Sequence, residues 1–172
     1  MKRYIYEAYN PKYKLRFLRE KTRLEKVLGK RNLIEHVGST AVPGLGGKGI
    51  IEIMILAPKS KIQSYSRKLQ RAGFLFRKNA TSKPDRLFFR TDYEDKPMRK
   101  VHVHITYSKK ELREKIAFRE YMIAHPKDAH RYAEIKKKAV KFAKGEGERY
   151  RKYKEKFLSN ITKKALKYST NG

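Results

Sequence analysis

The chain has 172 residues, 39% of them hydrophobic, enough for one domain with a buried core. It carries 45 Lys and Arg against 17 Asp and Glu, a formal charge of +28, and no cysteine. Disulfides, thiolate metal sites and cysteine nucleophiles are therefore excluded, and a field of this sign and size favours polyanionic partners, nucleic acid above all. A lysine-rich surface inherited from a biased proteome is the competing explanation. Glutamate is not comparably enriched, so balanced ion-pair networks do not account for the excess. Residues 1–7 lack an apolar signal-type core, and no run approaches the length of a membrane span, so a cytoplasmic protein without membrane contact is expected.

In chain order, a helix is predicted over residues 11–28, with Asn10 as N-cap, Pro11 in the first turn and Gly29 as the stop. Leu15, Leu18, Thr22, Leu24 and Leu28, with Phe17 beside them, form its expected apolar stripe. Residues 33–37 read as a strand ending in Gly38-Ser39-Thr40. Residues 50–56 read as a second strand, so continuously apolar that it belongs inside a sheet, and Ala57-Pro58 closes it. A helix follows over 59–72, with Ile62, Tyr65, Ser66 and Leu69 on one face and Gly73 at its end. Residues 74–77 are short and strand-like. Residues 87–91 and 100–106 are strands joined by the turn-forming run Tyr93-Glu94-Asp95-Lys96-Pro97.

From Ser108 the pattern is helical. Ser108 and Glu111 make a capping box, and the His125-Pro126 step breaks the first helix. Two more helices are expected over about 127–142 and 148–166, separated by Gly145 and Gly147, with a frayed tail over 168–172. The fold class is α+β in a single domain spanning 1–172. A small mixed sheet within about 30–107 is flanked by helices, and a helical C-terminal third within about 108–167 covers one side.

The chemistry concentrates in the segment 34–55. An apolar strand, a Gly-Ser-Thr turn, a glycine-rich connection with Lys48, and a second strand carrying Glu52 together offer what a phosphate-and-metal site needs. Gly38 permits close backbone approach, Ser39 and Thr40 offer hydroxyls, and Lys48 is a point charge for a phosphate. A simple turn with a capping serine reads the same way. Carboxylates at i and i+2 on a strand share a face and can grip one divalent ion. Here the pair is Glu52 and Met54, and a thioether is no ligand for a hard cation.

His102 and His104 share a strand face and, with Glu52, could make a softer metal site of two imidazoles and one carboxylate; packing as ordinary sheet residues is the alternative. His36, just before the turn, either orients the cradle by hydrogen bonding or packs. Arg119 is a candidate phosphate contact, with an ion pair to Glu120 as the competing role, and His125 is expected to be structural. Tyr132, Tyr150, Tyr153 and Tyr168 stand among lysines, which suits either the edge of a core or a surface that stacks single-stranded nucleic acid.

The run Glu35-His36-Val37-Gly38-Ser39-Thr40-Ala41-Val42-Pro43-Gly44-Leu45 resembles the signature of the GrpB-like family, a branch of the nucleotidyltransferase superfold. Ala117-Phe118-Arg119-Glu120-Tyr121 with Ala124-His125-Pro126 is similar to a second family motif. Tyr132-Ala133 with Lys136, and Tyr150 with Lys154 and Phe157, resemble its closing helices. The resemblance spans about residues 6–165. It implies a nucleotidyltransferase-like fold and transfer of a nucleotidyl group from an NTP to an acceptor, with Mg2+ or Mn2+ on Glu52 and phosphates on Ser39 and Lys48. Gly49 stands where the family has proline, Glu52 where it has aspartate, Ile123 where it has arginine, and His104 matches the family histidine. Met54 falls where the wider superfold places its second metal carboxylate, so a fold kept as a basic RNA-binding module is the alternative. Asp85, Asp92 and Glu94 are candidates to supply the missing acid. The sequence leaves the oligomeric state open.

Overall fold

A computed structural model describes residues 5–78, 85–93 and 96–170, with the backbone alone at 92, 93 and 96–100. Helix α1 (Lys12–Leu28) opens the described chain; the Asn10 side chain accepts from the Lys12 amide at 2.9 Å, so the capping asparagine acts as expected. The predicted stripe is corrected. Leu15 and Leu18 are 60% and 45% exposed, whereas Tyr13, Glu20, Leu24 and Leu28 are buried and Phe17 packs with them. Tyr13 and Phe17 supply the four-residue step that leucine spacing alone concealed.

Strand β1 (Leu33–Val37) pairs antiparallel with β2 (Ile51–Leu56), and β2 pairs parallel with β5 (Lys96–Thr106). β5 continues antiparallel to β4 (Arg86–Tyr93) and thence to β3 (Leu75–Phe76), giving the mixed order β1-β2-β5-β4-β3. β4 and β5 extend closer together than the predicted turn allowed, with an irregularity at Asp92/Tyr93; Glu94 and Asp95 lie outside the described residues. Helix α2 (Ile62–Arg71) buries Ile62, Tyr65, Ser66 and Leu69 as its spacing requires.

Side-chain alternation divides the sheet. Ile51, Ile53, Ile55, Val101, Val103 and Ile105 face α1 and α2 and form the main core. The opposite face carries Glu52, Met54, His102 and His104, and receives helix α3 (Lys109–Ala124). Ser108 caps α3 through the Glu111 amide at 3.2 Å. Helix α4 (Pro126–Ala143) begins directly at the proline, and α5 (Gly147–Thr170) packs on both α3 and α4. Fraying does not begin at 168. The Tyr168 ring meets Tyr121 edge-on at 5.9 Å and His125 at 5.1 Å, and α5 runs through Thr170. Among the described residues no helix is long and apolar enough to cross a membrane.

Candidate functional site

A cleft of about 490 Å3 opens between the second sheet face and helices α3, α4 and α5. Glu52 lies on its floor, opposite Val37 on β1 and His102 on β5. Burial works to raise its pKa, but His102, His104, Lys115 and Lys48 outweigh that and hold the carboxyl below its usual range. The Gly38 backbone, at φ +76° and ψ −167°, presses against this carboxylate; a Cβ there would overlap Oε2 and stand 2.9 Å from Cδ. Gly38 therefore serves close approach by the acid.

Met54 is 1% exposed and packs with Val37 and Leu112 at the cleft wall, so an apolar side chain fills the position of a second acid. Glu114 on α3 lines the cleft instead, a residue the sequence reading did not single out. Asp85 does not line it; Asp92's side chain and Glu94 lie outside the described residues. Among the described residues no three His, Asp or Glu side chains are grouped to hold a metal ion, so of the two alternatives for His102 and His104 the geometry favours packing over a site with Glu52. Phe88 engages both imidazoles, edge-on to His102 and stacked on His104, each at 4.9 Å. His104 lines the cleft, but its Nδ1 is buried without a hydrogen bond. Burial, against the pull of Glu52 and helped by Arg86, lowers its pKa to about 3.

The turn after β1 forms a short 3-10 helix, Ser39–Ala41, at the cleft wall. His36 Nε2 lies 3.0 Å from Thr40 Oγ1, which donates to the Ile50 carbonyl at 2.9 Å. With that proton committed, the imidazole is the donor of the pair, and it stacks on Phe17 at 4.6 Å. Burial and Arg119, opposed by Glu52, bring its pKa to about 4, so it is neutral. The residues 44–49 answer to another contact. Glu7 pairs with Gly47 through Glu7 N to Gly47 O at 2.6 Å and Gly47 N to Glu7 O at 2.9 Å, and a Cβ at Gly46 would overlap the Tyr6 hydroxyl. This connection makes room for the N-terminal segment around Glu7.

The cationic wall was largely missed. Lys48 lines the cleft as expected, 5.3 Å over the Tyr150 ring; Arg86, Lys115, Lys136, Arg151 and Lys154 join it. Lys136, 1% exposed, donates to Ser39 Oγ at 2.9 Å and to the Gly46 carbonyl, and lies 4.6 Å over the Tyr132 ring. Burial, with Lys154 nearby and Glu52 opposing, lowers its pKa to about 7. Lys154 sits 4.1 Å over Tyr150, and burial and Lys48 lower its pKa to about 8. The legible signal was the repeated Tyr-x-x-x-Lys of Tyr132/Lys136 and Tyr150/Lys154, which puts ring and amine on one helical face.

Arg119 is corrected. It does not line the cleft; its guanidinium binds Glu35 at 2.8 Å, the His36 carbonyl at 2.7 Å and Glu120 at 2.8 Å, clamping α3 to β1. His125 is structural, stacked on Tyr121 at 4.0 Å with Nδ1 2.9 Å from the Tyr121 carbonyl.

The two depressed histidines make stability depend on pH. Below the ordinary histidine value of 6.5 the unfolded chain takes up protons that folded His36 and His104 refuse until about 4 and about 3, so stability falls as pH falls from 6.5. Each histidine contributes up to about 1.4 kcal/mol per pH unit in that window. Urea midpoints between pH 7 and 5 are expected to decline less in a His36→Gln, His104→Gln double variant; parallel declines would refute the assignment.

UPF0157 protein BH1888 of Halalkalibacterium halodurans is 31% identical over 161 residues, covering 91% of this chain and 80% of its own. The crystal structure of conserved protein GrpB from Enterococcus faecalis is similar at TM-score 0.83 and 28% identity, over 96% of this chain and 99% of that one. A cytoplasmic RNA terminal U-transferase shares the fold at TM-score 0.53 and 14% identity, over 80% of this chain but 42% of its own, which gives the chain a nucleotidyltransferase-like fold. The GrpB protein family matches residues 5–164, nearly the whole described chain, and this chain belongs to it.

Proposed function

We propose that the cleft binds the triphosphate of a nucleoside triphosphate and supports transfer of its nucleotidyl group to an acceptor, with release of pyrophosphate. The observation that carries this reading is convergence. The Gly38–Ser39–Thr40 turn, the ionised Glu52 and the amines of Lys48, Lys115 and Lys154 face one space on a nucleotidyltransferase-like fold. A triphosphate is neutralised by such amines and accepts from the Ser39 hydroxyl, whose oxygen takes a hydrogen bond from Lys136 and whose proton is left to donate. The donor set fits a Mg2+ or Mn2+ ion only when shared with substrate: Glu52 and Glu114 are the two carboxylates of the cleft, and phosphate oxygens and water would supply the rest. Such an ion would add Lewis-acid polarisation of the phosphoryl group. His36 holds Thr40 in place, and Lys136 does the same for Ser39.

Calorimetric titration of ATP, GTP, CTP and UTP, with Mg2+ and separately with Mn2+, tests the reading. Wild type is expected to bind at least one nucleotide in a metal-dependent manner, and Glu52→Ala to lose that dependence. Absence of nucleotide binding by wild type at millimolar concentration would refute it. The apolar burial of Met54 favours a second reading, a fold retained for RNA binding without transfer; it requires RNA affinity that falls steeply with salt.

A further inference from the structure

The four tyrosines that stand among lysines separate in the fold. Tyr132 and Tyr150 are buried and complete the helical core beside the cleft, as an edge-of-core role requires. Tyr153 is 40% exposed and lies beside Phe142, itself 54% exposed, with ring centroids 5.2 Å apart and planes inclined by 42°. Phe142 belongs to α4 and Tyr153 to α5, so two helices present one aromatic ledge to solvent. Residues 136–156 around it hold ten Lys and Arg against three Glu. Lys138, Lys141, Lys152 and Lys156 are exposed and lie within four positions of one ring or the other. Tyr153 is also flanked in sequence by Arg151 and Lys154, both of which line the cleft.

We infer that Phe142 and Tyr153 form a stacking platform for one base of a single-stranded nucleic acid, whose backbone is held by the surrounding lysines and whose end reaches the cleft along Arg151 and Lys154. Phosphate spacing suits a row of surface amines, and an unpaired base offers a flat face to two exposed rings. A duplex hides its base faces and can use only the charges. Among the described residues the other exposed large apolar side chains give no such combination. Leu15, Leu18, Leu33, Leu75 and Ile123 are aliphatic, and Tyr168 is engaged with Tyr121 and His125. The ledge stands apart from Glu52. In naming a nucleic-acid strand as the acceptor of nucleotidyl transfer the inference rests on the proposed function; in naming the platform it does not.

Fluorescence anisotropy of end-labelled 12-nucleotide RNA and DNA single strands, and of the corresponding duplex, tests the platform without nucleotide or metal. Wild type is expected to bind a single strand. A Phe142→Ala, Tyr153→Ala double variant is expected to bind it about ten- to hundredfold more weakly while binding the duplex as wild type does. Both side chains are half-exposed, and the variant's unfolding midpoint, measured alongside, is expected to stay near that of wild type. Glu52→Ala is expected to keep full single-strand affinity, and the aromatic double variant to keep calorimetric NTP binding, so either site can fail alone. Preference for RNA over DNA would identify the strand as RNA, and equal affinity would leave the platform generic for single strands. Undiminished single-strand binding by the double variant would overturn the platform, as would equal losses for single strand and duplex.

Discussion

Gly38→Ala is expected to destabilise the protein by about 3–5 kcal/mol and to disable the cleft, because two costs fall on one atom. The first is backbone. Gly38 has φ +76° and ψ −167°, a region open essentially to glycine, where a Cβ costs about 1–3 kcal/mol. The second is collision, since the new methyl would occupy the place of Glu52 Oε2 and stand 3.3 Å from the Glu52 Cβ. The carboxylate end can swing into the cleft, so the lasting part of the collision is the tight approach to the Glu52 Cβ, which is fixed to β2. The two costs separate in a double variant: Gly38→Ala, Glu52→Ala is expected to regain the collision term and keep the backbone strain, so it should be more stable than Gly38→Ala alone. Denaturant unfolding of the four members of the cycle measures this. A Gly38→Ala protein as stable as wild type would show that the turn relaxes freely, and the close-packed acid would lose its explanation.

Local rules made the framework of this fold readable. β1 was delimited at both ends, α2 by its apolar face, and α3 and α4 by the Ser108 cap and Pro126, each an interaction within a few residues in sequence. The helix α1 stripe was misread because leucine identity was followed and the Tyr13–Phe17 step was not. Half of the site was legible for the same reason as the framework: Gly38, Ser39, Thr40, Lys48 and Glu52 are close in sequence and stay close in space. The remaining half comes from residues on β4, β5, α3, α4 and α5, far from that segment in sequence. Only the four-residue step from Tyr132 sets Lys136 apart from Lys137 in sequence, yet one is buried on Ser39 and Gly46 and the other pairs with Glu134 at the surface. Arg119 lies outside the cleft lining because its partner, Glu35, 84 positions away, draws it into a helix–strand contact. The unpaired aspect of Met54 was visible from the sequence, but its commitment to an apolar cluster with Leu112 required α3 to be in place.

Lys136→Met is expected to change the pH dependence of stability strongly between neutral and alkaline pH. The amine is buried and its folded pKa is about 7, against 10.5 for the free side chain. Between those values the unfolded chain carries a proton that the folded protein has released, so unfolding takes up protons and stability rises with pH across the window. That interval corresponds to roughly 4 kcal/mol, an amount shared with Lys154, whose charge acts on the same amine. Methionine fills the space without titrating and leaves the Gly46 carbonyl unpaired, a cost of about 1–3 kcal/mol that pH does not alter. Wild type is therefore expected to gain on the variant by roughly 4 kcal/mol between pH 7 and pH 10.5, because the other titrating groups are common to both and largely cancel. Guanidinium unfolding of the pair at pH 7, 8.5 and 10 reads the difference directly. Parallel curves would mean that the Lys136 ammonium is fully charged when buried, held there by Ser39, Gly46 and the Tyr132 ring. In that case it would be available as a permanent cation for a bound phosphate, and its role as a neutralised strut between α4 and the turn would have to be abandoned.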